Sequence, residues 1–539
     1  MWYKDAIFYE LNVRAFADGN GDGHGDFIGL SQKVDYLAEL GVDCVWLMPF
    51  YPSPLRDDGY DISDYRNVAP LYGTLEDFKH ALDALHARGI RVIIDFVINH
   101  TSDQHPWFVE SRASKDNPKR DWYVWSPTDF RYKEARVIFV DSLSSNWTYD
   151  TTTEAYYWHR FYSEQPDLNF DNPEVRQEML DTMRFWLDMG IDGFRVDAVP
   201  YLFEREGTNC ENLRETHEYL KEMRTLVKVE YPDCILLAEA NQWPEDLIPY
   251  LEDEFDMAFH FPMMPRLFMG VRQGSNREII NILEKTPPIP PHTQWCLFLR
   301  NHDELTLEMV THEQREWMWQ EYAPDPKMKL NLGIRRRLAP LLENDPRRIL
   351  LLHAILFALP GSPILYYGDE IGMGDNIDLF DRNGVRTPMQ WDDSLNAGFS
   401  TAETTYLPVI DDDGFSYRKV NVATQQGNPD SLFHALKHQI AVRKQAPIFG
   451  RGQFRVLDAG NEAIFAFERR LEDTAPVVVL ANLSDHAQTA MLREVNDYQG
   501  SQPKDILTDT PYHPINETPY TVALQPYGCL WLRLEQKGS

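Results

Sequence analysis

Apolar residues in this chain gather into short runs rich in β-branched and aromatic side chains, each closing on polar residues. The first four are "IFYELNVRAF" (7–16), "CVWLMPF" (44–50), "RVIIDFVINH" (91–100) and "GFRVDAV" (193–199). The next four are "CILLAEA" (234–240), "MAFHFPM" (257–263), "WCLFLRNHD" (295–303) and "SPILYYGDE" (362–370). Between them the apolar positions switch to a helical period, as in "GLSQKVDYLAELG" (29–41), "TLEDFKHALDALHARG" (74–89) and "NPEVRQEMLDTMRFWLDMG" (172–190). The last has Asn172 as N-cap and Pro173 at the first helical position. Near-continuous apolar strands alternating with such helices predict a parallel sheet covered by helices. Eight units predict an α/β fold, a (β/α)8 TIM barrel, with an open doubly wound sheet as the alternative.

Three stretches leave this rhythm. Residues 101–171 turn polar and aromatic and are too long for a simple connection, which predicts a domain inserted after strand 3. A second, charged insertion is expected at about 304–345, after strand 7. From 451 to 539 strands alternate with turns and no helix, the pattern of an antiparallel β-sandwich. The barrel then takes 1–100 and 172–450.

Composition narrows the partners. The formal net charge is -32, which repels polyanions and so argues against nucleic acid and anionic membranes, while a neutral substrate is indifferent to it. The N-terminus lacks a signal-peptide pattern and no stretch is long and apolar enough to span a membrane, so a cytoplasmic protein is expected. Five scattered cysteines fit reduced core thiols.

Candidate chemistry sits at the strand ends. These carry Asp95 and His100, Arg195 and Asp197, Glu239, and His302 and Asp303, where a barrel places its active site. Any two of Asp197, Glu239 and Asp303 can serve as the nucleophile and acid of a glycosidase. Arg195 points to the same side of its strand as Asp197 and can hold it ionised, whereas apolar neighbours raise Glu239 and suit it to be the acid. A structural ion network in the barrel mouth is the alternative. Glu304 and Glu308 then crowd Asp303, three acids within six positions, and such a cluster needs something to offset its repulsion.

Four of these runs, "DFVINH" (95–100), "GFRVDAV", "LLAEA" (236–240) and "FLRNHD" (298–303), together resemble the four motif regions of the α-amylase family, glycoside hydrolase family 13. The resemblance extends in order along the whole chain. It implies that Asp197 attacks the anomeric carbon, Glu239 acts as acid and base, and Asp303 grips sugar hydroxyls in the transition state. It also implies that His100 and His302 bind the same sugar, Tyr60 stacks beneath it, and Asp57 with Arg386 closes the pocket beyond one glucose. "DGYDISDY", "QPDLNF" and "RNGVRTPMQW" resemble the subfamily of oligo-1,6-glucosidases, sucrose-processing enzymes and maltose isomerases.

Within that subfamily "NHDELTLEMVT", "MPFYPSPLRDDGYD", "YLFEREGTNCENL" and "GIRRRLAPLLENDPRRI" resemble the members that isomerise maltose to trehalose. The implied reaction is an intramolecular, retaining double displacement through a glucosyl enzyme, with minor hydrolysis to glucose. An α-glucosidase is the alternative, and a non-catalytic relative of the fold a more distant one. Glu304 and Glu308, read as i and i+4 on one helical turn, are expected to hold the released glucose, with Tyr201 as its cover. The competing reading has both glutamates bind the arginines of "GIRRRLAP". A homo-oligomer and a separate maltokinase are compatible partners.

Two metal sites are expected. In "DGNGDGHGD", Asp18, Asn20, Asp22 and Asp26 alternate like the first nine positions of a calcium loop, although Gly29 stands where its closing Glu belongs. Ca²⁺, or Mg²⁺ at this loop, is the expected ion, with a simple Asx-turn as the alternative. The second site is implied by the resemblance alone, through side chains of Asn99, Asp167 and Glu204 and carbonyls of Tyr201 and Leu202. No organic cofactor is expected.

Overall fold

The computed structural model describes residues 1–412 and 414–535 of the chain; the end of the span expected for the β-sandwich lies outside them. Eight parallel strands close into a barrel. They are β1 (Phe8–Leu11), β2 (Cys44–Leu47), β3 (Arg91–Val97), β4 (Gly193–Asp197), β5 (Ile235–Ala238), β6 (Met257–Phe259), β7 (Gln294–Phe298) and β8 (Ser362–Tyr366). Each pairs with its neighbours in sequence, and β8 returns to β1 through Phe8 opposite Ile364. The strands are buried on both faces, which is why they read as unbroken apolar runs.

The structure shortens several predicted runs. "IFYELNVRAF" is a strand only to Leu11, and Asn12 then caps a helical turn over Val13–Phe16. The helix expected over 29–41 is two, Phe27–Gln32 and Val34–Leu40, the second ending at left-handed Gly41 (φ 94°). Asn172 and Pro173 start the helix Pro173–Asp188 as predicted, with the Asn172 side chain accepting from Glu174 N at 2.9 Å.

Four further sheets lie off the barrel. After β3, strands Trp125–Ser126, Ala155–Trp158 and Trp147–Asp150 form a small antiparallel sheet; a bridge from His100 to Asp167 ties this segment to the barrel, and one from Tyr123 to Leu168 lies within it. After β7, Leu305–Thr306, Gly333–Ile334 and Lys329–Leu330 form another, so residues 304–308 are not the helical turn expected of Glu304 and Glu308. A pairing partner almost thirty residues away in sequence decides this conformation. Past the barrel, a six-stranded antiparallel sheet faces a two-stranded one (Gln488–Leu492 with Tyr520–Leu524). Leu480, Val478, Val522 and Leu524 fill the core between them, the arrangement of a sandwich.

No helix among the described residues is long and apolar enough to cross a membrane.

Candidate active site

The C-terminal ends of the barrel strands open into one cavity. All the candidate catalytic and substrate residues line it except Arg195 and Arg386, which stand directly behind the carboxylates. Asp197 is the last residue of β4 and Glu239 the first after β5. Arg195 reaches both: Nη1 lies 2.5 Å from Asp197 Oδ1, and Nη2 lies 2.9 Å from Glu239 Oε1. The same Nη1 is 2.7 Å from Asp95 Oδ1 on β3, so one buried guanidinium balances three acids. Glu239 Oε2 also accepts from Ala198 N at 3.0 Å. Ala198 holds a left-handed φ of 53°, a strained turn directly after Asp197.

The carboxylates differ in proton affinity, as acid and nucleophile must. Burial pushes Glu239 up to about 8, Arg195 opposing and Asp197 adding to the rise. Burial raises Asp197 to about 6, with Arg195 countering it. For Asp303 burial is outweighed by His302, Arg382 and Arg386, and its carboxyl is held well below the usual range. Asp303 Oδ1 is 3.0 Å from both Arg382 Nη1 and Arg386 Nη2.

One expected pair is corrected. Asp57 pairs with Arg382, whose Nη2 lies 2.6 Å from Asp57 Oδ1; Arg386 turns instead to Asp303, to Asp58 at 3.4 Å and to the His302 carbonyl at 2.9 Å. The 3-10 turn Asn383–Val385 separates the two arginines and sends them to different acids. Gln165 Nε2 donates to the other Asp57 oxygen at 2.9 Å. Tyr60 stacks on His302 with ring centroids 5.3 Å apart and donates to Asp95 Oδ2 at 2.9 Å. His100 Nε2 meets the Tyr60 carbonyl at 3.1 Å, and burial lowers this imidazole to about 4.

Farther out, Glu304, Glu308 and Tyr201 form the mouth. Neither glutamate contacts the arginines of "GIRRRLAP", which bind loop carbonyls and Asp375 instead. Glu304 Oε1 accepts from Asn331 Nδ2 at 3.2 Å, and Asn331 N donates to Asp141 Oδ2 on the inserted domain at 2.7 Å. Glu308 Oε2 lies 2.6 Å from Arg136 Nη1. Arg136 also donates to Glu211 at 2.9 Å and to the Tyr201 hydroxyl at 3.2 Å, tying the inserted domain across the cavity to two barrel loops. Phe139 and Phe161 of the inserted domain complete this wall.

Arg136, Arg382 and Glu10, whose Oε1 lies 2.5 Å from His302 Nδ1, are not among the residues expected from sequence. For Glu10 a signal exists: it is a lone acid inside the apolar run "IFYEL". Arg136 has none, because it sits in a stretch without periodicity.

The residues of the two expected metal sites are held differently. In the first loop the side chains bind their own backbone. Asp18 accepts from Asn20, Gly21 and Gly23, while Asp26 accepts from Gly19, Asn20 and Gly29 and caps the helix that follows. Asn20 and Asp22 accept from Asp22 N and His24 N. This is a run of Asx-turns, and each accepting oxygen keeps a second lone pair. At the second, Asn99 Oδ1 and Asp167 Oδ2 are buried with no hydrogen-bond partner, and burial raises Asp167 to about 8 and Glu204 well above the usual range. Orphaned hard oxygens of this kind fit a divalent cation.

Comparison with known proteins agrees with this geometry. Residues 11–324 and 335–452 match the alpha amylase catalytic domain, and residues 454–531 the C-terminal domain of maltogenic amylase. The chain is similar to a trehalose synthase of Pimelobacter sp., 55% identical over 99% of this chain and 96% of that protein. It is similar to the trehalose synthase/amylase TreS of Mycolicibacterium smegmatis, 54% identical over 99% and 93% respectively. Among solved structures it resembles the trehalulose synthase MutB from Pseudomonas mesoacidophila, with a TM-score of 0.79 and 29% identity over 99% of this chain and 100% of that one. The chain therefore belongs to the α-amylase family, and within it to the trehalose synthases.

Proposed function

We propose that the chain interconverts maltose and trehalose by intramolecular glucosyl transfer with net retention, releasing a little glucose. Asp197 attacks the anomeric carbon while Glu239, protonated, donates to the leaving oxygen; glucose departs and a covalent glucosyl ester remains. Glu239 then takes a proton from the anomeric hydroxyl of that glucose, which attacks the ester from the side it left. Asp303, held ionised by two arginines, binds hydroxyls of the reacting ring, and these bonds strengthen as charge develops. Arg382 with Asp57 closes the cavity beyond this sugar.

The observation that carries the reading is the mouth rather than the floor. A hydrolase needs the floor alone; an isomerase must also keep a freed glucose in place and water out. Glu304 and Glu308 stand where that glucose would turn; Arg136 ties Glu308 to the inserted domain, and Asn331 links Glu304 to it through Asp141. The similarity to trehalose synthases over almost the whole chain supports the same reading. Incubation with maltose, following trehalose against glucose, tests it: glucose as the sole product would assign the chain to the α-glucosidases.

The reading includes a structural Ca²⁺ held by Asn99, Asp167 and Glu204 with the Tyr201 and Leu202 carbonyls, where the inserted domain meets the barrel. Such an ion would fix the inserted domain and supply no chemistry to the reaction. Removal with a chelator is expected to lower the melting temperature, with restoration by added Ca²⁺. A cytoplasmic location is part of the proposal, supported by five free thiols. So are assembly into a homo-oligomer and supply of maltose to a separate maltokinase, which size measurement and co-purification test.

A further inference from the structure

Deep in the barrel, Glu10 of β1 is fully buried and reaches across to the loop after β7. Its Oε1 lies 2.5 Å from His302 Nδ1 and 3.3 Å from the His302 backbone N, while Oε2 has no partner. His302 is 1% exposed, packed between Tyr60, stacked at 11°, and the edge of Trp46. Its other nitrogen, Nε2, is 3.3 Å from Asp303 Oδ2.

The protons of this row follow from the contacts. Asp303 is kept ionised by Arg382 and Arg386, so an Nε2 beside its oxygen must carry hydrogen, since two lone pairs would repel. A contact of 2.5 Å between Nδ1 and Oε1 needs a second proton between them for the same reason. Glu10 and His302 together therefore hold two protons. Whether the shared one rests on oxygen or nitrogen, Nε2 keeps its own. Burial drives Glu10 well above its ordinary value and His302 well below, which favours the neutral pair, acid donating to imidazole. The other charged groups facing Glu10 are Arg195, Asp303, Asp95 and the more distant Arg300.

We infer that Glu10 is a positioning residue for glucosyl transfer: through the Oε1–Nδ1 hydrogen bond it fixes the ring of His302 and the proton on Nε2. That proton is then aimed jointly at Asp303 and at the sugar hydroxyl Asp303 binds. Without Glu10, neutral His302 is free to place its one hydrogen on Nδ1, and a bare Nε2 then faces a carboxylate and accepts where the transition state needs a donor. The inference rests on the proposed glucosyl transfer, since it gives His302 a sugar to bind.

Two variants of the full chain test it, Glu10→Met and Glu10→Gln. Methionine fills the space and makes no hydrogen bond. Glutamine keeps the size, but its amide oxygen draws the proton to Nδ1, and its amide nitrogen cannot also accept the His302 N–H. The readouts are kcat and KM on maltose, fluoride release from α-glucosyl fluoride, and the far-downfield region of the proton spectrum, where a short N–H–O bond resonates. For Glu10→Met we expect kcat lower by about 100-fold with KM changed little, as for loss of one preorganised donor. Glu10→Gln should lose about tenfold. The downfield resonance of the unaltered protein should vanish in Glu10→Met. Unchanged kcat in Glu10→Gln, or a downfield signal that survives in Glu10→Met, overturns the inference; if Glu10→Met does not fold, Glu10→Gln decides. A wild-type chain inactive on both substrates would instead overturn the proposed function, while the spectrum still reports the hydrogen bond.

Discussion

The floor and the mouth of the cavity are built differently. The floor rests on strand ends: Asp197 ends β4, Asp95 stands two residues before the end of neighbouring β3 and faces Arg195 in register, and Glu239 begins the loop after β5. Its charges are compensated within a few residues of regular structure by one buried guanidinium. The mouth is assembled from segments far apart in sequence. Arg136 and Glu308 are 172 residues apart, and Asn331 and Asp141 are 190 apart. A rigid floor serves bond cleavage, which tolerates little error in distance. A mouth tied by a few side-chain bonds can open for substrate and close for transfer.

If this division holds, the largest effect belongs to the floor. Asp197→Asn removes the group proposed to form the glucosyl ester while leaving a side chain of equal size for Arg195. Turnover of maltose should fall by about 10⁴-fold or more, with trehalose and glucose lost together. A variant that lost trehalose but kept glucose release would place Asp197 in the mouth's role.

The pH profile probes the same floor. Asp197 must be ionised to attack, and with its carboxyl at about 6 turnover should fall as pH drops through that value. Glu239 must be protonated to donate, and with its carboxyl at about 8 turnover should fall as pH rises past it. On each limb kcat/KM should change by about tenfold per pH unit, giving a bell whose two apparent values belong to the coupled pair. Glu239→Gln should remove the alkaline limb when α-glucosyl fluoride, whose leaving group needs no proton, is the substrate.

Legibility in the sequence follows the same division. The barrel was legible because its strands and helices are local periods, and Asp197, Glu239 and Asp303 stood out as acids ending apolar runs. Arg386 reads as the partner of Asp57, but the intervening turn gives that place to Arg382, four residues earlier. Glu304 and Glu308 read as one helical face, since nothing near them announces that Gly333–Ile334 will pair with Leu305–Thr306. Arg136 was invisible for a like reason: its partners arrive from two other loops. Glu10 is legible by contrast, as a lone acid in an apolar strand.

The mouth should respond in product ratio more than in rate. Arg136→Met leaves Glu308 without its arginine and breaks the tie to Tyr201, while Glu211 keeps Arg160. Water then reaches the glucosyl ester more often, so glucose should rise relative to trehalose by several-fold, about 1 kcal/mol in partition. Glu308→Gln and Glu304→Gln should act in the same direction. Loss of all turnover at an unchanged ratio would show instead that the glutamates only support the fold.

The smallest predicted effect is also the most local. Gly333 lies against Glu304, and a Cβ there would sit 2.6 Å from Glu304 Cγ and 2.7 Å from the Leu305 carbonyl oxygen. The Glu304 side chain can rotate away, but the carbonyl belongs to the strand Leu305–Thr306, paired with Gly333 through Thr306. Gly333→Ala must therefore shift the short strand, a strain of about 1–3 kcal/mol. Asp197, Glu239 and Arg195 take their hydrogen bonds and ion pairs from one another, Asp95 and Ala198 rather than from this strand pair, so fluoride release from α-glucosyl fluoride should stay within about twofold of wild type, as for sites that share no partners. Glu304 moves with the strand, so the trehalose fraction should drop, by less than in Glu304→Gln because the carboxylate remains. Equal loss of both activities would mean that floor and mouth are one mechanical unit.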